Sequence, residues 1–325
     1  MTEEPDPILL ESDEPPTAGV RAWLELFRLP NVFTAMADIF LGFLLVHETL
    51  QPWWTFLLLL AASSLLYMAG MVLNDVFDVV IDREERPARP IPSGRVSLRL
   101  ALHTGGVLLG AGVALGWAAS AFTGDPRSGL VATALAGAVV AYDRILKRTP
   151  VAPLVMGSCR SLNILLGASA AASSWHAIHW LVAASIGLYI TGVTWFARTE
   201  ARESRRGVLA AATVVMGAGL ALLAWFPSWA DAALAVGDTP QYALDLGARW
   251  YVLWLLLALL ILRRPAAAVI DPAPARVQMA VKECILSLIM LDAVACFAVR
   301  GVFWAAMILL LLIPTMFLGR WIYST

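Results

Sequence analysis

Apolar runs long enough to cross a lipid bilayer recur along almost the whole of this chain, and no other feature constrains its fold as strongly. A spanning helix needs about 20 predominantly apolar residues. Runs of this kind fall near residues 30–47, 53–74, 98–121, 128–142, 151–172, 177–197, 207–226, 248–262, 278–298 and 302–319. Those at 128–142 and 248–262 are short for a full crossing. In hydrocarbon, only helices and closed barrels satisfy all of their backbone polar groups. There is no period-2 alternation, and Ala, Leu and Gly dominate, as in packed membrane helices. The expected fold is therefore all-α and polytopic. Composition agrees: 60% of the 325 residues are hydrophobic and 14% charged, a membrane-like balance. The formal net charge of −1 argues against a nucleic-acid partner. The three cysteines, Cys159, Cys284 and Cys296, lie in apolar stretches without Cys-x-x-Cys spacing and read as buried thiols. Residues 1–20 are acidic and proline-rich. They read as a disordered tail ahead of one membrane domain, 21–325.

The basic residues between the runs fix an orientation. With the N-terminus inside, Arg21 and Arg28, the 83–99 arginines, Arg144, Lys147 and Arg148, Arg198 to Arg206, Arg263, Arg264, Arg276 and Arg320 all face the cytoplasm. Arg127, Arg249 and Arg300 face the other side, together with Asp231, Asp238 and Asp245. The expected setting is a bacterial inner membrane with the functional face toward the cytoplasm.

The second run ends in Asn74-Asp75-Val76-Phe77-Asp78-Val79-Val80-Ile81-Asp82. Steps of three and four residues put the three carboxylates on one helix face. Carboxylates so crowded repel unless a cation or an arginine lies between them. Mg²⁺ takes one or two carboxylates plus substrate phosphates. Arg83, Arg86, Arg89 and Arg95 follow, and arginines suit phosphate oxygens. The pattern suggests a Mg²⁺–diphosphate site at a membrane surface. The alternative is a solvated helix end whose acids pair with their own arginines.

The stretch Asn74-Asp75-x-x-Asp78-x-x-x-Asp82-Arg83, with Arg86-Pro87-x-Arg89-Pro90-Ile91-Pro92-Ser93-Gly94 behind it, resembles the first aspartate-rich motif of the UbiA superfamily of intramembrane prenyltransferases. The resemblance implies about nine transmembrane helices around a central cavity. It also implies Mg²⁺-dependent transfer of a prenyl group from a prenyl diphosphate to an aromatic or other small hydrophobic acceptor. Asp75 and Asp78 would hold the metal, with Asn74 and Asp82 assisting. Further segments are similar to the family. Arg28 and Asn31 open the first run as an Arg-x-x-Asn pair entering the pocket; by themselves they read as an interfacial anchor. Tyr142 and Lys147 follow the fourth run, where family members contact the diphosphate; by themselves they read as an interfacial belt. Arg160 and Asn163, in Gly157-x-x-Arg160-x-Leu162-Asn163, are expected either to line the pocket or to form an interhelical hydrogen-bond pair.

One segment departs from the family. A second aspartate motif is expected after the sixth run, and this chain has Arg198-Thr199-Glu200-Ala201-Arg202-Glu203-Ser204-Arg205-Arg206 there. Glu200 and Glu203 could share a cation, or the arginines could neutralise phosphate directly. The weakened motif resembles a divergent, Ebo-type branch. It also keeps open a second reading, a non-catalytic isoprenoid carrier or scaffold on the same fold. His176 and His179 are three apart without a third ligand nearby and read as interfacial. Asp292, deep in the ninth run, is expected to pair within the bundle.

Overall fold

A computed structural model of the chain describes residues 19–172, 174–198, 204–234 and 247–322, and these contain helices and no strand. The helices are α1 (Val20–Leu26), α2 (Leu29–Val46), α3 (Trp53–Phe77), α4 (Val79–Glu85), α5 (Leu98–Thr123), α6 (Arg127–Ala141), α7 (Ala152–Ala168), α8 (Ala177–Ala197), α9 (Arg206–Leu234), α10 (Gly247–Ile270), α11 (Pro274–Arg300), α12 (Val302–Leu309) and α13 (Leu312–Leu318). Among the described residues, seven helical segments are long and apolar enough to span a bilayer: α2, α3, α5, Arg127–Leu146, α8, Arg206–Pro227 and α10. The two short runs of the sequence thus sit inside longer helices. α7 has 17 residues, and α11 carries Lys282, Glu283 and Asp292. The last apolar run is not one helix, because it breaks between α12 and α13. The acidic tail lies outside the described residues except for its last two positions.

The helices close two circuits that share one contact. α2, α3, α5, α6 and α7 each pack on the next, and α7 returns to α2. From α7 the chain continues through α8, α9, α10 and α11, and α11 also returns to α2. The shared α2–α7 contact is close because glycines meet there. A Cβ on Gly167 would stand 2.7 Å from the Ile39 carbonyl oxygen, and one on Gly42 would strike the Ile164 carbonyl. Small residues at a crossing let backbones approach without loss of packing.

Two ends can be told apart. At one, α2 begins, α3 ends and α6 runs into a π turn, Tyr142–Leu146. At the other, Arg300 Nε donates to Leu44 O (2.7 Å), Arg127 Nη2 donates to Ala171 O (2.5 Å) and lies over Trp175, and His47 Nε2 meets Ala170 O at 3.1 Å. Arg300 and Arg127 at that end thus reach backbone carbonyls, and Arg127 also pairs with Asp125 Oδ2 at 2.8 Å. Leucines, valines and tryptophans exposed on α5, α10 and α12 form an apolar exterior suited to lipid.

Candidate active site

The acidic stretch folds at the first end, and the segment behind it folds back over it. Ile91 and Val96 are buried in a small cluster with Leu26, Val72 and Val76. Gly94 makes the return with φ 76°, in the left-handed region that glycine enters freely. Val96 N–H bonds to Pro90 O (3.0 Å), and Arg95 donates to Glu25 (2.7 Å) and to Ala88 O (2.7 Å). This turn carries Arg89 onto the acids. Its Nη1 donates to Asp82 Oδ2 (2.6 Å) and to Asp75 Oδ1 (3.1 Å). Arg28 Nη2 reaches Asp75 Oδ1 from the start of α2 (3.2 Å). Arg28 itself takes a left-handed backbone (φ 47°, ψ 48°), which is uncommon outside glycine and concentrates at functional sites.

Asp78 departs from the single face read in the sequence. α3 ends at Phe77 and α4 starts at Val79, with Asp78 between them at φ −91°, ψ 1°. Asp75 and Asp82 share Arg89, and Asp78 turns to Lys147. Lys147 Nζ bonds both the Asp78 carboxylate and Asn74 Oδ1, the latter at 2.5 Å. The alternative of a solvated helix end whose acids pair with their own arginines fits only in part, since Asp75 and Asp82 are buried and only Arg89 comes from the arginines behind them. The partners are Arg28, Arg89 and Lys147 from three separate segments rather than the adjacent Arg83.

A basin of about 480 Å³ opens beside Asp75, lined by Arg28, Arg86, Arg89 and Arg95. A second, apolar cavity of about 80 Å³ runs between α2, α3, α6 and α7, past Tyr142, Asp143, Cys159, Arg160 and Asn163. Asn31 is buried and lies within hydrogen-bonding reach of Tyr67 on the same cavity wall. Arg198, at the end of α8, is near enough to Tyr142 to act on it electrostatically. Glu200 and Glu203 lie outside the described residues.

Arg160 and Asn163 converge on a residue that sequence reading missed. Asp38 Oδ2 accepts from Arg160 Nη1 (2.7 Å) and from Asn163 Nδ2 (2.8 Å), and Arg160 Nη2 also donates to Thr34 Oγ1 (2.6 Å). Ser63 donates to Asn163 Oδ1 at 2.7 Å. Both expectations for this pair meet here, since the network is interhelical and also lines the cavity. A charged residue within an apolar spanning run was the available signal for Asp38. Asp292, fully buried, faces the Asp38 carboxyl. His179 Nδ1 accepts from the His176 backbone N–H at 2.9 Å. Their three-residue spacing is thus a helix-capping arrangement.

The donors suit Mg²⁺ in kind. Asp75, Asp78 and Asp82 with the Asn74 amide are hard oxygen ligands. Among the described residues no three His, Cys, Asp or Glu side chains converge on one point.

Comparison with known proteins agrees with this geometry. The model of the UbiA prenyltransferase family matches residues 35–281. A digeranylgeranylglyceryl phosphate synthase from Methanosarcina barkeri is 33% identical over 47% of this chain and 56% of its own length. The chain thus spans a little over half the length of the curated relatives it matches first. The apo structure of a UbiA homologue from Aeropyrum pernix is 25% identical, with a TM-score of 0.61 over 81% of this chain and 96% of that one. A UbiA homologue from Archaeoglobus fulgidus, solved with DMAPP and Mg²⁺, is 14% identical with a TM-score of 0.57, covering 86% of this chain and 99% of that one, and speaks for the fold. These relatives are archaeal and lend no support to a bacterial membrane or to an Ebo-type branch. The motif, the bundle and the family match over residues 35–281 lead to one conclusion: this chain is a multi-pass membrane protein that belongs to the UbiA prenyltransferase family.

Proposed function

We propose that the chain transfers a prenyl group from a prenyl diphosphate to a lipid-soluble acceptor within the membrane. One observation carries the reading: α3 contributes both to an apolar cavity, through Ser63 to Met71, and to a basic basin beside Asp75, at the end where the paired acids lie. Asp75 and Asp78 would hold Mg²⁺, with Asn74 and Asp82 assisting, and the bound ion would neutralise charge on the diphosphate. Arg28, Arg89 and Lys147 exchange their present carboxylate partners for phosphate oxygens, which they bind as strongly. The basin takes the diphosphate, and the apolar cavity, at about 80 Å³, takes the allylic end of the prenyl group and shields it from water. Fixed cations stabilise the charge that gathers on the leaving oxygen as the allylic C–O bond breaks. Tyr142 lines the apolar cavity, and Asn31 lies behind Tyr67 of the same wall. Arg160 and Asn163 shape the cavity wall, with Arg160 held by Asp38 rather than free to reach phosphate. The positive-inside distribution of Arg and Lys supports a cytoplasmic setting for this face. The relatives are named for making digeranylgeranylglyceryl phosphate, which makes geranylgeranyl diphosphate the first donor to try.

The test is diphosphate release from labelled geranylgeranyl diphosphate with Mg²⁺, on the purified chain in lipid nanodiscs, with geranylgeranylglyceryl phosphate as acceptor. Wild type should release diphosphate and yield an alkylated acceptor. Asp78→Ala should weaken Mg²⁺-dependent donor binding at least about tenfold, or about 1.4 kcal/mol. A donor that binds tightly and is recovered intact identifies a carrier instead.

A further inference from the structure

Asp143 is a largely buried acid to which no described residue donates a hydrogen bond. It sits in the π turn after α6, is 8% exposed and lines the apolar cavity. Charges from three segments act on it, those of Lys147, Asp78, Arg28 and Asp75. Each nearby cation is bonded elsewhere: Lys147 to Asp78 and Asn74, Arg28 to Asp75, and Arg160 to Asp38 and Thr34. No hydrogen bond reaches the Asp143 carboxylate from the described residues. A largely buried carboxylate is costly when no donor faces it, and a hydroxyl on a ligand in the cavity that Asp143 lines supplies one. π turns inside α-helices occur often at functional sites. This one puts the acid at the junction between the acidic cluster and the apolar cavity. On the transferase reading, that is where the reacting carbon of the prenyl group lies.

We propose that Asp143 accepts a hydrogen bond from the hydroxyl of a glycerol-lipid acceptor and takes its proton during transfer. The inference rests on the transferase reading. The acceptor oxygen forms a bond to the allylic carbon. The bond from that carbon to the diphosphate oxygen breaks, and its electron pair leaves with the diphosphate. The hydroxyl proton passes to the Asp143 carboxylate, so an ether, a diphosphate and a carboxylic acid result. A second carboxyl group at this point also disfavours acceptors that present a carboxylate there, such as aromatic acids.

The experiment uses the full chain in nanodiscs with Mg²⁺, geranylgeranyl diphosphate and geranylgeranylglyceryl phosphate. Wild type, Asp143→Asn and Asp143→Ala are compared for donor affinity and for transfer. The expected result is donor affinity within about threefold across all three, with transfer at least about 100-fold slower in both variants, the usual scale of general-base loss. Added formate should restore part of the Asp143→Ala rate and none of the Asp143→Asn rate, because only the smaller side chain leaves room for a replacement base. Transfer by Asp143→Asn at the wild-type rate overturns the proposal. So does a parallel loss of donor binding, which would assign Asp143 to the diphosphate site, and so does absence of formate rescue. Wild type that turns over the donor without alkylating this hydroxyl overturns it while the transferase reading stands. Wild type that does not bind the donor overturns both.

Discussion

Arg89 shows at the residue scale how the site is held before substrate arrives. One nitrogen bonds Asp75 and Asp82 together, and all three side chains are at most 10% exposed. Removing one partner of a buried ion pair leaves uncompensated charge and costs about 3–5 kcal/mol. Arg89→Ala leaves Arg28 on Asp75 and nothing comparable on Asp82, so a loss near the lower end, about 3 kcal/mol, is expected in denaturant titration. The freed carboxylates should then gain more from a divalent ion than the wild-type pair does. Millimolar Mg²⁺ should raise the melting temperature of Arg89→Ala by more than that of wild type. An equal response in the two proteins would show that Asp75 and Asp82 do not take the metal.

At the scale of elements, the α2–α7–α11 junction joins polar and apolar packing. Glycine contacts bring α2 and α7 together, and Asp38 then meets Arg160 and Asn163. Asp38 Oδ1 and both Asp292 oxygens are fully buried without a hydrogen-bond donor among the described residues. An amide at position 292 supplies the missing donor, so Asp292→Asn should stabilise the protein by about 1 kcal/mol or more. Arg160→Met removes the cation and leaves Asp38 uncompensated, with an expected loss of about 3–5 kcal/mol. Thermal unfolding in one detergent compares the two. Opposite signs support the junction described, and a loss for Asp292→Asn as large as that for Arg160→Met would mean that Asp292 has a cationic partner. Gly167→Val adds a clash with the Ile39 backbone and should separate α2 from α7.

For the whole molecule, the sidedness read from arginine and lysine counts becomes a statement about two physical ends. Ala88 and Arg148 are exposed near the acidic cluster, and Glu48 is exposed next to His47 at the other end. Single cysteines at these positions, with Cys159, Cys284 and Cys296 replaced by serine, should divide into two classes. In intact cells an impermeant thiol reagent should label Glu48→Cys and spare Ala88→Cys and Arg148→Cys. Labelling of all three would contradict the two-ended arrangement, and the reverse pattern would invert the orientation in the membrane.

Hydropathy, which depends on local composition, was enough to read helices, their membrane environment and the acidic stretch from the amino acids alone. It also made Arg160 and Asn163 stand out, because charge inside an apolar run is conspicuous. It could not say which helix lies at the centre. α2, α5 and the segment Arg127–Leu146 have similar mean hydropathies of 1.8, 1.5 and 1.5, yet 72%, 28% and 22% of their most apolar stretches are buried. Lipid and protein interior accept the same side chains, so the distinction arises only when helices pack. The same limit applies to the site. Spacing along one helix grouped Asp75, Asp78 and Asp82, but their cations come from the start of α2, the returning loop and the turn after α6. Asp38 and Asp143 gained significance for the same reason: what each carboxylate faces, a guanidinium in one case and an open cavity in the other, is set by neighbours far away in the chain.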